Sequence, residues 1–227
     1  MKYSIEKSKI PKNNFFNEKS KKNIIVTHKE KRIISRSISP NKKKIYKEPF
    51  SVSSKHKTNF GYVYSAGGIP CRLDFQSRMK IRWEIPLEEL NFDPILEICF
   101  EGLLETVHPY SFVSRQCIRE MLNSNGATQK IIPLLPKLLK NLRTALANDN
   151  EYIFLEAMDV LKILSGLVKE ELNKYLFLVL QPINKRSFKL KYKEKVFDLL
   201  RELENNGGKE AYLHIKSRVP SYNSMEY

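Results

Sequence analysis

The sequence predicts an all-α domain that follows a disordered basic arm. Three observations support this prediction. Apolar residues recur at helical spacing through most of the chain after residue 86, and Asn, Gly and Pro residues interrupt that spacing repeatedly. The excess positive charge is concentrated before residue 59, where few apolar residues are available to form a core.

The basic arm comprises residues 1–58, which hold 17 Lys or Arg residues against four Asp or Glu residues. The whole chain of 227 residues has a formal net charge of +15, so residues 59–227 contribute only +2. High charge with little to bury leaves the entropy cost of ordering uncompensated, and disorder is expected. A cationic arm on a near-neutral domain is typical of proteins that bind acidic partners.

The folded domain is expected to cover residues 59–227 and to begin with a short hairpin or extended segment. Residues 69–75 are predicted to form one strand, and residues 79–83 alternate between apolar and basic side chains, as in a half-buried strand. A turn between the two is predicted at Gln76 and Ser77. Gly61 is interpreted as a further turn.

Seven helices are predicted in the rest of the chain, each delimited by residues that favour helix ends. Asp93 and Pro94 are expected to cap and start the first helix, and Pro182 to end the fifth. The Asn-Asn-Gly-Gly run at 205–208 is expected to separate the last two. The helical apolar spacing covers residues 95–104, 112–122, 134–146, 152–164, 172–180, 196–203 and 211–215.

The short connections between these helices predict that consecutive helices are antiparallel. A pair then spans about 40 residues, the length of a HEAT or armadillo unit. The rhythm of helix, break and helix therefore favours an armadillo/HEAT-like helical solenoid. A compact helical bundle is the alternative, because the units share little sequence identity.

No catalytic motif emerges from the sequence. It lacks GxGxxG, GxxxxGK[ST], HExxH and GxSxG, its four histidines form no pair with metal-ligand spacing, and its three cysteines form no CxxC pair. No apolar run approaches the roughly 20 residues that span a bilayer. We therefore expect no enzymatic activity, no cofactor, no metal and no membrane insertion.

Two charged runs in the folded part suggest contacts with partners. Glu97, Glu101 and Glu105 recur every four residues and share one helical face, which is either solvated or a docking stripe for a basic partner. A basic run lies where the fifth helix gives way to the sixth. It is either a solvated loop or a contact for an acidic surface.

The candidate partner-binding residues are chosen from charge alone. They are Lys42, Lys43 and Lys44 in the arm and Lys185, Arg186, Lys189, Lys191 and Lys193 in the basic run.

Several runs in the folded part resemble the parkin co-regulated protein family. The run Tyr-Ser-Ala-Gly-Gly-Ile-Pro-Cys-Arg-Leu at 64–73 and the run Ile-Lys-Ser-Arg-Val-Pro-Ser-Tyr at 215–222 look closest to its parkin co-regulated-like branch. Further similar runs lie at 83–84, 90–94, 100–103, 108–115, 132–136 and 207–208. Together they cover about residues 60–222 in order.

The resemblance implies an armadillo/HEAT-like helical fold without enzymatic activity. The founding member of the family is an axonemal protein that binds tubulin at the inner junction of doublet microtubules. Two departures limit what is carried over. The arm matches nothing in the family, and the link around Phe188 is shorter than in the founding member, so the lattice position is not transferred.

The sequence thus leads to three hypotheses about function. The first is a structural microtubule-associated protein in the cytoplasmic cytoskeleton, specifically the axoneme of a cilium or flagellum, with tubulin and neighbouring axonemal proteins as partners. The second is a protein–protein adaptor that uses the solenoid surface, with the arm incidental. The third is nucleic-acid binding by the arm, which is disfavoured because the arm has no RGG pattern and few aromatic residues for base stacking.

Overall fold

The computed structural model describes residues 57–74 and 80–224. Within those residues the fold is predominantly helical, with eight α-helices, three short 3-10 segments and one antiparallel pair of strands. The predicted disordered arm, residues 1–58, lies outside the described residues apart from its last two. Lys42, Lys43 and Lys44 therefore lie outside them as well.

The elements follow one another along the chain with short connections. The strands are β1 (Cys71–Asp74) and β2 (Lys80–Trp83). The 3-10 segments are Gly102–Leu104, Ile132–Leu134 and Lys169–Tyr175. The helices are α1 (Asn59–Ser65), α2 (Ile95–Glu101), α3 (Tyr110–Leu122), α4 (Ala127–Ile131), α5 (Leu135–Leu146), α6 (Glu151–Val168), α7 (Leu176–Ser187) and α8 (Leu190–Arg218).

The predicted antiparallel strand pair is confirmed. Cys71 pairs with Trp83 and Leu73 with Ile81, which places these four residues on one face of the ribbon. Cys71 and Ile81 are buried on that face, whereas the intervening Arg72 is exposed. The turn predicted at Gln76 and Ser77 lies outside the described residues.

The starts of α2, α3, α5 and α6 agree with the predicted helices to within two residues, whereas α7 begins four residues later and α8 six residues earlier than predicted, and α1 and α4 were not predicted. Asp93 makes no capping hydrogen bond to α2, and its carboxylate instead lies 3.5 Å from Lys137 Nζ. Asn150 does cap α6, since its Oδ1 accepts from the N–H groups of Tyr152 at 2.9 Å and Ile153 at 3.3 Å. Gly61, interpreted as a turn, instead lies inside α1 and is buried.

The prediction that Pro182 ends its helix is wrong, because α7 continues through it to Ser187. A proline inside a helix has no N–H for the carbonyl four residues earlier. The neighbouring Val179 and Ile183 are fully buried, and α7 packs against both α5 and α8. Packing of this face offsets the missing hydrogen bond, so the local stop signal is overridden.

The break predicted at the Asn-Asn-Gly-Gly run is confirmed, but it occupies one residue. Gly208 has φ 66° and ψ −157°, and α8 continues on either side of this kink. Asn173 holds the kink, because its Nδ2 donates to the carbonyl oxygen of Gly207 at 2.9 Å. A Cβ on Gly207 would lie 2.4 Å from Asn173 Oδ1, so the approach needs glycine.

The buried apolar residues form one continuous core that includes residues from every helix and from both strands. Helix α6 packs against α3, α5 and α8, and α7 packs along α8. The connection between α7 and α8 consists of only Phe188 and Lys189. This turn presents the basic run predicted from the sequence.

Candidate functional site

The α7–α8 corner, residues 185–193, combines the end of one helix, a two-residue turn and the first turn of the next. The N–H of Lys189 donates to the carbonyl oxygen of Arg186 at 3.0 Å. Ser187 Oγ donates to the carbonyl oxygen of Asn184 at 2.7 Å. These bonds fix the backbone of the turn, so the side chains on its outer side project from an ordered support.

Arg186 is the one member of the basic run that points inwards, with only 7% of its surface exposed. Its guanidinium donates to the carbonyl oxygen of Asn148 and lies 4.7 Å from the centre of the Phe154 ring. Asp149 Oδ1 lies 3.6 Å from it. Arg186 therefore joins α7 to the start of α6. It was a predicted partner-binding residue, but its side chain does not face solvent.

The remaining candidates of the run divide into one paired and three unpaired lysines. Lys191 Nζ lies 2.5 Å from Glu151 Oε2, and this hydrogen bond raises the pKa of Lys191. Lys185, Lys189 and Lys193 are exposed. Within residues 57–74 and 80–224, no carboxylate lies at ion-pair distance from any of these three. Their charges are therefore available to an external acidic group.

A groove of about 350 Å³ runs between the end of α5 and the outer face of α7. Three exposed cationic residues, Arg143, Lys185 and Lys189, line it together with the inward-facing Arg186, and Asp149 brings one carboxylate. Arg143 is oriented by Gln181, with Nη2 3.3 Å from Oε1. Convergent cations on a helical surface attract carboxylates or phosphates, and the groove has no arrangement of an acid, a base and a nucleophile.

Two apolar side chains beside these lysines were not singled out from the sequence. Phe188 is 79% exposed and Leu190 is 87% exposed, which makes them the most exposed large apolar residues in the described part of the chain. Leu190 borders a shallow depression of about 440 Å³ along α8, together with Lys193 and Phe197. The sequence signal that could have indicated them is the placement of two large apolar residues within a lysine-rich segment.

The prediction that Glu97, Glu101 and Glu105 share one helical face is wrong for Glu105, because α2 ends at Glu101 and Glu105 lies in extended backbone after a 3-10 segment. This acidic run is largely paired within the fold. Glu97 Oε2 lies 3.4 Å from Lys137 Nζ, and this contact raises the pKa of the lysine. Glu105 is buried, and its Oε1 accepts two hydrogen bonds from Thr58. The donors are the N–H of Thr58, at 2.8 Å, and the hydroxyl Oγ1 of Thr58, at 2.6 Å. The two ends of the run are thus used to hold α5 and the start of α1.

The three cysteines are buried packing residues. Cys71 Sγ lies 3.6 Å from Cys117 Sγ, and Cys99 is fully buried on the adjoining helix α2. The contact with Cys117 and burial raise the pKa of Cys71, which keeps it a thiol at neutral pH.

The described residues form neither a metal-ligand group nor a membrane-spanning helix. Between residues 57 and 224, leaving out 75–79, no three His, Cys, Asp or Glu side chains are grouped to hold a metal ion. No helix in the same segments is long and apolar enough to cross a membrane.

Comparison with known proteins identifies relatives of almost the whole folded part. A family model described as Parkin co-regulated protein matches residues 58–224. The mouse protein named Parkin coregulated gene protein homolog is 31% identical over 186 residues, covering 74% of this chain and 76% of the mouse protein. The matched region contains all eight helices, both strands and the α7–α8 corner.

Proposed function

The chain belongs to the parkin co-regulated protein family, and from that premise we propose that it is a non-enzymatic structural protein that binds tubulin in axonemal or other stable microtubules. We propose further that its helices form an armadillo/HEAT-like solenoid, as the resemblance to the family implies. Its place would be the cytoplasmic cytoskeleton, in the axoneme of a cilium or flagellum. The alternative is a protein–protein adaptor in which the basic arm has no role.

The observation that carries the proposal is the outward-facing charge of the α7–α8 corner. Lys185, Lys189 and Lys193 project from ordered backbone, and Arg143 adds a fourth cation at the groove. Tubulin surfaces and tails are acidic, so such a cluster is attracted to them and oriented by them. Because the turn is already ordered, binding there costs less conformational entropy than binding by the arm.

The test is co-sedimentation of the full chain with polymerised tubulin, at low and at physiological salt and with DNA as a competitor. Two variants remove the same amount of charge. One replaces Lys185, Lys189 and Lys193 with Ala, and the other replaces Lys42, Lys43 and Lys44 with Ala. At physiological salt we expect the corner variant to bind at least about fivefold more weakly than the arm variant, because salt screens long-range attraction by the arm more than direct contacts made by the corner lysines.

The outcomes separate the hypotheses. Pelleting of the full chain that resists DNA and depends on the corner lysines supports a lattice-binding function. Pelleting that DNA abolishes, or that the two variants reduce equally, indicates a nonspecific polycation effect. That result would overturn the proposal in favour of the adaptor.

A further inference from the structure

The α7–α8 corner carries an apolar tip, formed by Phe188 and Leu190, at the centre of its unpaired lysines. Both side chains are almost fully in water, at 79% and 87% exposure, although most other large apolar residues in the described part of the chain are buried or half-buried. Scattered exposed apolar residues are ordinary on a protein surface. Phe188, in the two-residue turn, and Leu190, the first residue of α8, are flanked by Lys185, Lys189 and Lys193 and form one compact feature.

Hydrogen bonds on both sides of the tip fix its backbone. Lys189, between the two apolar residues, donates its N–H to Arg186, and Arg186 is itself anchored to Asn148 and stacked on Phe154. The N–H of Tyr192 donates to the carbonyl oxygen of Lys189 at 2.9 Å, which fixes the first turn of α8. A preformed tip loses little backbone freedom when a partner covers it.

We propose that Phe188 and Leu190 insert into an apolar pocket bordered by carboxylates on the partner protein, while the three lysines pair with those carboxylates. This inference rests on the proposed function and names the lattice contact: the partner surface is acidic tubulin. Apolar anchors surrounded by charged residues have the anatomy of interface hot spots, where a central buried side chain dominates the affinity.

Charge distinguishes this partner from the other surfaces that cover apolar tips. A second copy of the chain would bring its own three unpaired lysines to the same place, and like charges disfavour that contact. An anionic membrane would attract the lysines, but Glu194, which borders the same depression as Leu190, is exposed and would be repelled. A structured acidic protein can place its carboxylates opposite the lysines alone.

The test compares two double variants of the full chain that each remove two exposed apolar side chains. F188S with L190S removes the tip. F177S with L213S is the matched control, because these residues are 51% and 58% exposed on α7 and α8 but lie outside the corner. Circular dichroism and thermal unfolding check that both variants fold. Affinity for polymerised tubulin is then measured across a salt series.

We expect the tip variant to bind about tenfold or more weakly, with the same salt dependence as the wild type, since the lysines remain. The control should bind within about twofold of the wild type. Wild-type affinity in the tip variant would overturn the tip inference and leave the proposed function standing, as would equal losses in both variants. Failure of the wild type itself to bind polymerised tubulin would overturn the proposed function and the inference together.

Two further arms assign the tip to other partners if the inference is wrong. One measures flotation of the same variants with vesicles of phosphatidylcholine and phosphatidylserine, and the other measures the solution mass of the wild type over a concentration series. Tip-dependent binding to vesicles, or a dimer that the tip variant abolishes, would overturn the assignment to an acidic protein. Neither effect is expected.

Discussion

The acidic run of Glu97, Glu101 and Glu105 and the basic run at the α7–α8 corner look alike as charge patterns, yet the fold uses them in opposite ways. Glu97 is paired with Lys137, and Glu105 is buried against Thr58. At the corner, Lys185, Lys189 and Lys193 have no carboxylate at ion-pair distance within the described segments. A run of like charge therefore indicates a partner site only where the fold supplies no counter-charges of its own.

The largest change in stability that tests this comparison is expected on substitution of Arg186, the inward-facing member of the basic run. Arg186→Ala removes the bond to Asn148 and the contact with Phe154, and it should lower the free energy of unfolding by about 3 kcal/mol. Lys185→Ala, one position away but exposed, should change it by less than about 0.5 kcal/mol. Urea unfolding of both variants is the measurement. Equal effects would show that Arg186 is not held inside the fold.

A smaller effect is expected where α2 ends in the core. Gly102 has no room for a side chain, since an added Cβ would lie 2.6 Å from the Phe60 ring and 2.7 Å from Ser114 Oγ. Gly102→Ala should destabilise the protein by about 1–3 kcal/mol through overpacking. Gly166, inside α6, has open space around it, and Gly166→Ala should stabilise by about 1 kcal/mol.

The two glycine variants are expected to change stability in opposite directions. Thermal unfolding of both variants beside the wild type checks this expectation. Stabilisation by Gly102→Ala would mean that the end of α2 is not packed against α1 and α3. The acidic run would then be free to face a partner, and the contrast between the two charged runs would disappear.

The smallest effect concerns Glu101, the middle residue of the acidic run. Burial, and secondarily the charge of Glu97, raise the pKa of Glu101, while a hydrogen bond with Asn59 opposes them. A carboxyl whose pKa is raised by folding destabilises the protein once it is ionised. That cost is absent below the unfolded pKa of about 4.3 and complete above the folded pKa. Glu101→Gln should thus raise the free energy of unfolding slightly at pH 7 and leave it unchanged at pH 3.

Urea titrations at the two pH values check this expectation. A stabilisation of the same size at pH 3 and pH 7 would show that the charge of Glu101 is not its cause.

Most of the helices could be predicted from the sequence because their signals are local. Apolar spacing located α2, α3, α5, α6, α7 and α8, and the Asn-Asn-Gly-Gly run marked the kink at Gly208. The errors occurred where contacts distant in sequence override a local signal. Pro182 does not end α7 because its buried neighbours pack against α5 and α8, and α1 includes Gly61 because that segment packs on α2 and α3.

The candidate site could be predicted only to the level of charge. The sequence located the basic run but did not separate inward-facing Arg186 from its exposed neighbours, because that depends on Asn148 and Phe154, more than thirty positions away. Nor did it identify the pairing of Lys191 with Glu151. Phe188 and Leu190 could be placed in the link from the sequence, but their exposure depends on how α7 and α8 pack.

The central claim is that the outward-facing cations of the corner touch an acidic lattice, and carbodiimide cross-linking of the full chain bound to polymerised tubulin tests it most directly. The reagent joins a lysine amine to a carboxylate in direct contact, and mass spectrometry identifies the lysines joined to tubulin. The account predicts cross-links at Lys185, Lys189 or Lys193 and none at Lys137, which is paired with Glu97. Cross-links confined to the α2 side of the domain or to the arm lysines Lys42, Lys43 and Lys44 would contradict it.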